Sequence, residues 1–240
     1  MSPSTSNSSF WIDLLLIVPV LLAWWSQARV RHAFREADQI QNEEHISGYE
    51  TARYLLDESG LGTIPVVVGQ GTLSGDSDAY DPVAKRVVIS KQTASHSTDL
   101  SVGVAGHEVG HATQDAEGFP LMRLRTSIAN WLIRVSWVSS FAFVGGFLLG
   151  IVPLMWVTVG IMGVQVLFAL VTLPVEINAS GRAIKLLERG RLIALSEKRS
   201  VQKVLRAAAF TYLASAAQTL AFFLFCVIVL AAAVGLQLPR

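Results

Sequence analysis

The longest charge-free stretch of the chain lies between Arg134 and Glu176. As one continuous helix it would be roughly 60 Å long, about twice the thickness of the hydrocarbon core of a bilayer. The stretch must therefore fold back on itself, and Gly150 and Pro153 provide the natural break. We predict that residues 135–173 form two transmembrane helices.

Two further apolar segments extend this membrane-embedded part. Residues 10–25 are apolar except for one aspartate and are barely long enough to span, and we predict a first transmembrane helix over 10–26. Residues 207–240 open with an Ala-rich half, which we expect to pack near the membrane surface, and continue with a half that is apolar enough to span. With helices over 135–151 and 154–173, the chain has about four crossings.

The N-terminal region carries two features besides its apolar run. The Ser-rich residues 1–9 show no hydrophobic pattern, and we expect them to be disordered. Asp13 lies close to the start of the first crossing, so its carboxylate is expected at the level of the lipid headgroups. A functional role for this carboxylate within the membrane stays open.

Composition separates the chain from soluble and nucleic-acid-binding proteins. The apolar fraction is 52% and the charged fraction is 15%, whereas soluble domains average about 25% charged residues. A formal net charge of +1 leaves no basic footprint for nucleic acid. The single cysteine, Cys226, excludes an intramolecular disulfide and a zinc site built from several cysteines. The predicted partner is therefore the lipid bilayer, and nothing in the composition indicates an oligomeric state.

Basic residues concentrate on one side of the predicted crossings. No Lys or Arg precedes residue 29, and none lies in the turn between the two helices of residues 135–173. The basic residues near helix ends are Arg29, Arg31, Arg35, Arg123, Arg125, Arg134, Arg182, Lys185, Arg189 and Arg191. The positive-inside rule therefore places residues 27–131 and 174–206 in the cytoplasm, as in a bacterial-type inner membrane.

Residues 27–131 form the largest polar block, for which we predict an α+β cytoplasmic domain. The β-branched runs at 64–69 and 86–90 predict two short strands. The Gly- and Asp-rich residues that separate them predict a loop or a wide hairpin. A helix follows, with a cap among residues 97–99 and an end at Gly118.

That helix contains the sequence His107-Glu108-Val109-Gly110-His111. Histidines four residues apart lie on one helix face, so both imidazoles can converge on one ion. Glu108 lies beside them and can act as the general base on a bound water. Zn²⁺ suits this donor set, because it takes neutral imidazole and carboxylate ligands and keeps an open position for water. Small apolar neighbours indicate that these polar groups are half buried and need partners, which disfavours two unrelated surface histidines.

The third metal ligand is predicted to be a carboxylate from a later helix. The extended zincin pattern would need a histidine where Glu117 stands. Glu176 is the best candidate, because it follows the third membrane helix and has apolar neighbours, among which a carboxylate is costly unless paired or metal-bound. Glu117, Glu188 and Glu197 have charged or loop-like surroundings, and we expect them to point into water.

Three polar residues close to these positions are candidates for orienting the ligands. Gln114, Asn178 and Ser180 could supply hydrogen bonds to the metal-binding side chains. Each of them could equally be a helix cap or a plain surface residue.

Four segments together resemble the YugP-like membrane family of zinc metallopeptidases. They are SGYETARYLLDESGL, LSGDSDAYDPVAKRVVIS, AGHEVGHATQ and LVTLPVEINASGRAIKLL, and the resemblance extends over residues 45–220. It implies a membrane-embedded, zinc-dependent peptidase of the gluzincin type. In that family pattern His107, His111 and Glu176 would bind the metal, and Glu108 would be the general base.

The chain departs from the family pattern at three positions. The family usually has Asp at position 178, His at position 79 and Ala at position 106, where this chain has Asn178, Ala79 and Gly106. Asn178 cannot carry a charge, so electrostatic tuning of a metal by this position is in doubt. None of the departures removes a predicted ligand or the predicted base.

The expected fold is mainly α and membrane-embedded, with a zincin-like α+β cytoplasmic part that carries a short β-hairpin and the motif helix. The expected function is a zinc metalloendopeptidase that cleaves a peptide or membrane-protein substrate at the cytoplasmic membrane surface. The motif helix has polar flanks and is not itself a crossing, which argues against an intramembrane protease. The alternative is a non-catalytic membrane protein with a structural zinc, which the departures at Asn178 and Ala79 would favour. A transporter is disfavoured, because few polar groups besides Asp13 and Gln165 lie within the crossings.

Overall fold

A computed structural model describes residues 3–69, 78–233 and 235, without the side chains of residues 3–13, 136, 139, 140, 143 and 233. The helices are α1 (Pro3–Asp38), α2 (Gly48–Glu58), α3 (Lys91–Ser95), α4 (Asp99–Ala116), α5 (Pro120–Leu149), α6 (Val152–Arg189) and α7 (Leu195–Ala233). The strands are β1 (Val66–Val68), β2 (Ala79–Asp81) and β3 (Arg86–Ile89). The described part is thus mainly helical, as the sequence predicted.

The contacts divide the chain into two compact units. The first unit comprises Met1–Ser26, Leu124–Leu173 and Thr211–Arg240. The second unit comprises Gln27–Arg123 and Pro174–Phe210. The division falls close to the predicted boundary between apolar and polar segments, and it cuts α1, α5, α6 and α7 into an apolar part and a more polar part.

The first unit consists of the apolar parts of long helices that continue into the second unit. In the described part of the chain, the helices able to cross a membrane by length and composition are Leu14–Asp38, Val152–Arg189 and Leu195–Ala232. Helix α5 is not among these three, so the fourth crossing, predicted over 135–151, stays a prediction. The predicted break is confirmed, because Gly150 takes φ +67° between α5 and α6.

Two helices continue beyond the segments that the sequence assigned to the membrane. Helix α6 contains Pro174 in its interior and is 38 residues long, and α7 is 39 residues long. A helix of that length reaches roughly 57 Å, whereas the hydrocarbon core is about 30 Å thick, so a large part of each helix must lie outside lipid. The extension of α6 over residues 174–189 and that of α7 over residues 195–210 both belong to the second unit.

The N-terminal expectation differs from the structure in one respect. Helix α1 begins at Pro3, so residues 3–9, expected to be disordered, are helical. Proline is well tolerated in the first turn of a helix, where its missing N–H has no intrahelical acceptor in any case. The side chain of Asp13 lies outside the described part of the chain.

The second unit packs α2, α4 and a small sheet around a common core. The hydroxyl oxygen of Ser47 accepts the backbone N–H of Glu50, and the Glu50 carboxylate accepts the backbone N–H of Ser47, so α2 starts with a complete capping box. The buried face of α2 presents Leu55 and Leu56 to the core. Other core residues are Val87, Ile89, Val102, Val109, Val175, Ala183, Leu187 and Val201. The core therefore joins the sheet to α4 and to the polar halves of α6 and α7.

The sheet corrects one prediction of strand pairing. Its strand order is β1-β3-β2; β1 pairs with β3 in parallel, and β2 pairs with β3 antiparallel. The two predicted strands, β1 and β3, therefore do not form a hairpin with each other. The hairpin is made by β2 and β3, and β2 comes from residues 79–81, which the sequence indicated as loop because Asp and Pro surround a single Tyr. Residues 70–77 of the predicted loop lie outside the described residues.

Candidate metal centre

Helix α4 carries the histidine motif and begins where the sequence predicted. Thr98 is its N-cap, with extended backbone angles (φ −121°, ψ 160°), and its hydroxyl accepts the backbone N–H of Ser101 at 3.3 Å. The helix stops before Gly118, which takes φ +69°, and Pro120 begins α5. The motif therefore lies in the interior of a well-capped helix that belongs to the second unit.

A glycine in the motif lets α4 approach α6 closely. A Cβ atom added to Gly110 would lie 2.6 Å from the carbonyl oxygen of Ala179 and 3.3 Å from its carbonyl carbon. No side chain larger than hydrogen fits there without moving the α6 backbone. Gly110 thus sets the spacing between the two helices about one turn from Glu176, the predicted third ligand.

His107, His111 and Glu176 lie together. Nε2 of His107 is 3.1 Å and Nε2 of His111 is 3.4 Å from Oε2 of Glu176. One ligand atom from each residue lies within 4.8 Å of the other two, and within the described residues this is the one cluster of that kind. Glu176 is 1% exposed. A buried carboxylate beside two imidazoles is a donor set that suits a divalent metal such as zinc.

The ring orientation of His111 follows from its hydrogen-bond partner. Nε2 of Gln114 donates to the backbone carbonyl of Val175 at 2.9 Å and to Oδ1 of Asn178 at 2.9 Å. The amide oxygen of Gln114 must therefore face His111, and it lies 3.0 Å from Nδ1 of that ring. Nδ1 then carries the proton, and the lone pair of Nε2 points toward Glu176, which is the tautomer that a metal needs.

His107 and Asn178 have partners of the same kind. Oγ of Ser180 lies 3.3 Å from Nδ1 of His107. Oδ1 of Asn178 accepts from Gln114 and also from Nε of Arg182 at 2.8 Å. The three polar residues that the sequence offered for orienting the ligands, Gln114, Asn178 and Ser180, are thus all in contact with the cluster or with each other. Arg182 was not predicted, and its only sequence signal was its position one turn after Asn178 on the same helix.

Glu108 is buried and fixed in place by the sheet. It is 7% exposed, and its Oε2 accepts the backbone N–H of Tyr80 at 2.6 Å. Burial raises the pKa of Glu108 to about 7, while the charge of His107 and the Tyr80 hydrogen bond oppose that shift. The sequence could not show the Tyr80 contact, because it depends on strand β2, which was not predicted.

Two side chains attach β2 and its turn to α4. The Tyr80 hydroxyl donates to Oδ2 of Asp115 at 2.6 Å, and Nζ of Lys85 contacts the same carboxylate. Burial raises the pKa of the Tyr80 hydroxyl well above its usual range, so it stays protonated as the donor. These contacts keep the backbone of Tyr80 beside Glu108.

The other candidate glutamates do not belong to the cluster, but the predicted solvent exposure of one of them is wrong. Glu117 makes a two-pronged ion pair with Arg182 and is largely exposed, and Glu188 pairs with Lys198. Glu197 was expected to point into water, which is wrong, because it is 5% exposed. Its two carboxylate oxygens accept the backbone N–H groups of Glu43 and Ala194, each at 2.6 Å, so it ties the start of α7 to a distant loop.

The departures from the family pattern leave these contacts intact. Oδ1 of Asn178 accepts both of its N–H donors without a charge. Ala79 is exposed on β2, and the contact to Glu108 comes from the backbone of the next residue. The space beside Gly106 is taken by the end of the Leu187 side chain, 3.0 Å from where a Cβ atom would lie.

Comparisons with known proteins identify the family of the chain. A family model described as "Putative neutral zinc metallopeptidase" matches residues 12–231. The chain is also 37% identical over 202 residues to the "Putative membrane protease YugP" of Bacillus subtilis (strain 168), a match that covers 84% of this chain and 88% of that protein. A search of solved structures found no match.

Proposed function

Because the chain belongs to this zinc metallopeptidase family, which confirms the resemblance seen in its motifs, we propose that it is a membrane-embedded, zinc-dependent metalloendopeptidase. Its substrate is a peptide or a membrane protein, cleaved at the cytoplasmic face of the membrane. The observation that carries the proposal is the convergence of two imidazoles and one buried carboxylate within 4.8 Å, with a second buried glutamate next to them in sequence.

The donor set fits zinc. His107, His111 and Glu176 would hold the metal, and the two imidazoles have hydrogen-bond partners at their Nδ1 atoms, which leaves their Nε2 atoms for the ion. Three protein ligands leave one position for water, as in hydrolytic zinc sites. When bound, zinc lowers the pKa of a coordinated water toward neutrality and polarises a carbonyl group.

Glu108 is the residue that would move the proton. It lies between the two histidine ligands in sequence, one residue after His107. Its carboxylate accepts the Tyr80 N–H, so one oxygen keeps a fixed orientation while the other can accept a proton from water. The same carboxyl can return that proton to the leaving amine. A base that is buried rather than solvated holds its water in a defined geometry, which is the requirement for such a transfer.

The membrane location rests on the apolar helices and on the relative. Three helices within the described residues are long and apolar enough to cross a membrane, and the relative is described as a putative membrane protease. The orientation is supported by the basic residues that flank residues 27–131 and 174–206 and by the absence of Lys and Arg from the α5–α6 turn. Together these features favour a site that opens toward the cytoplasm.

The test is Glu108→Gln, a change that keeps shape and removes the base. We expect this variant to keep one zinc per chain and its thermal stability, and to lose at least a hundredfold in the cleavage rate of a casein-type substrate. Glu44→Gln is the matched control, because Glu44 is exposed and belongs to no part of the site. Cleavage by Glu108→Gln at the wild-type rate would refute the mechanism. A wild-type protein that holds zinc and cleaves no peptide would instead support a structural metal.

A further inference from the structure

A basic cavity lies in the second unit, away from the metal centre. It has a volume of about 520 Å³ and is formed by the part of α1 after Ser26 and the part of α7 before Thr211. On α1 it is lined by Arg29, His32 and Ala33, which share one helix face at the spacing of three and four residues. The α7 wall follows the same spacing, so the cavity is a groove between two matched helix faces.

The cavity is strongly cationic. The α7 wall contributes Arg199, Lys203 and Arg206, and of the described residues that line the cavity none is acidic. Among the described residues, Glu36 stands beside the cavity, with its Oε2 2.5 Å from Nζ of Lys203 and 3.6 Å from Nε2 of His32. The lining itself carries three arginines and one lysine, so the groove attracts an anion.

The chain positions this cavity at the end of the apolar segments. Arg29 follows directly on the apolar run that ends at Trp25, and Ala207 and Phe210 open the charge-free run of α7. A groove whose cations lie directly beside the first apolar turns suits a ligand with a phosphate head and a hydrocarbon body. Basic pockets between helices at a membrane surface are the recognised sites for anionic headgroups.

We propose that this cavity binds the phosphate headgroup of an anionic phospholipid. Arg199 and Arg206 supply two positive charges from α7, and Arg29 contributes a third cation from the facing helix. The alanines at positions 33 and 207 keep the wall open, since both side chains are buried and small. The site lies beyond the proposed peptidase activity and does not depend on the metal.

The experiment titrates the purified full-length protein, in neutral detergent, with dioleoylphosphatidylglycerol and counts bound lipid by native mass spectrometry. We expect saturable binding of this lipid and no comparable binding of dioleoylphosphatidylcholine. The double variant R199Q/R206Q should bind roughly thirtyfold more weakly, since each cation near an anionic surface contributes about a factor of five. R199K/R206K keeps the charges and should retain most of the binding, which separates loss of charge from loss of folding.

The matched control is R31Q/R35Q. Arg31 and Arg35 lie exposed on other faces of α1, so this variant makes the same change in charge at a similar distance from the apolar segment. Equal losses in R31Q/R35Q and R199Q/R206Q would overturn the proposal in favour of diffuse attraction to the surface. Displacement of the lipid by inorganic phosphate at millimolar concentration would also overturn it, because the cavity would then be a site for a soluble anion.

Discussion

Gly110→Ala tests whether the spacing of α4 and α6 sets the metal centre. The added methyl group would lie 2.6 Å from the carbonyl oxygen of Ala179. Because C···O contacts settle near 3.3 Å or more, the helices must separate by roughly 0.7 Å. Metal–ligand distances tolerate only about 0.2 Å, so His107 and His111 on α4 could no longer share an ion with a carboxylate on α6 without strain.

The expected result is a loss of zinc affinity of roughly tenfold to a hundredfold, similar to the loss of a supporting contact around a metal site. Overpacking of this kind also costs about 1–3 kcal/mol of stability. The intrinsic preference of the helix works in the opposite direction, because alanine stabilises a helix interior by about 1 kcal/mol relative to glycine. A lower zinc affinity therefore reports the packing and not the propensity.

Gly106→Ala is the control on the same helix. Its methyl group would lie 3.0 Å from Cδ1 of Leu187, a contact that a small shift of that side chain relieves, whereas the contact at Gly110 is with backbone atoms of α6. We expect the zinc affinity of Gly106→Ala, measured by competition with a chromophoric chelator, to stay within about twofold of the wild type. Equal affinities in the two variants, with both proteins folded by circular dichroism, would refute the reasoning.

Three further changes test other parts of the account. Asn178→Leu removes the acceptor that orients Gln114, so the zinc affinity measured by chelator competition should fall roughly tenfold or more. Asn178→Asp keeps an acceptor and should keep the affinity. Equal zinc affinity in the wild type and both variants would contradict this role of Asn178. Burial raises the pKa of Asp99 to about 6, so the stability linked to its proton is present below about pH 4 and is lost as the pH rises through 6. Asp99→Asn should therefore raise the free energy of unfolding at pH 8 by about 1–2 kcal/mol, seen as a higher melting temperature, and change it little near pH 4. The same increase in melting temperature at both pH values would exclude this linkage. Val83 is 72% exposed in the β2–β3 turn, whereas the native Cys226 is buried and should not be labelled. If the turn faces the cytoplasm, Val83→Cys should react with an impermeant maleimide in inside-out vesicles and not in intact cells. The reverse labelling pattern would contradict the proposed orientation.

The sequence predicted the parts of the fold that depend on local signals. Thr98 and Gly118 delimit the motif helix, and Gly150 breaks the longest apolar run, because caps and left-handed positions are chosen by single residues. Glu176 was singled out because a carboxylate among apolar neighbours needs a partner, and the structure places it beside His107 and His111.

The parts that the sequence did not predict depend on contacts between distant residues. Strand β3 pairs with β1 on one side and with β2 on the other, and β2 is only three residues long, too short for an alternating pattern to be recognised. Glu197 was misjudged because its charged neighbours suggested solvent, whereas its carboxylate accepts a backbone N–H from Glu43, far away in the chain. The hydrogen bond from the backbone N–H of Tyr80 to Glu108 also joins residues far apart in the chain, so the sequence could not show it.

The most direct test of the central claim is an anomalous difference map at the zinc edge from crystals of the full chain. The account predicts a peak about 2.0–2.2 Å from Nε2 of His107, Nε2 of His111 and a carboxylate oxygen of Glu176. A zinc peak bound elsewhere, or a zinc-loaded protein whose peak lies beyond bonding distance of Glu176, would contradict it.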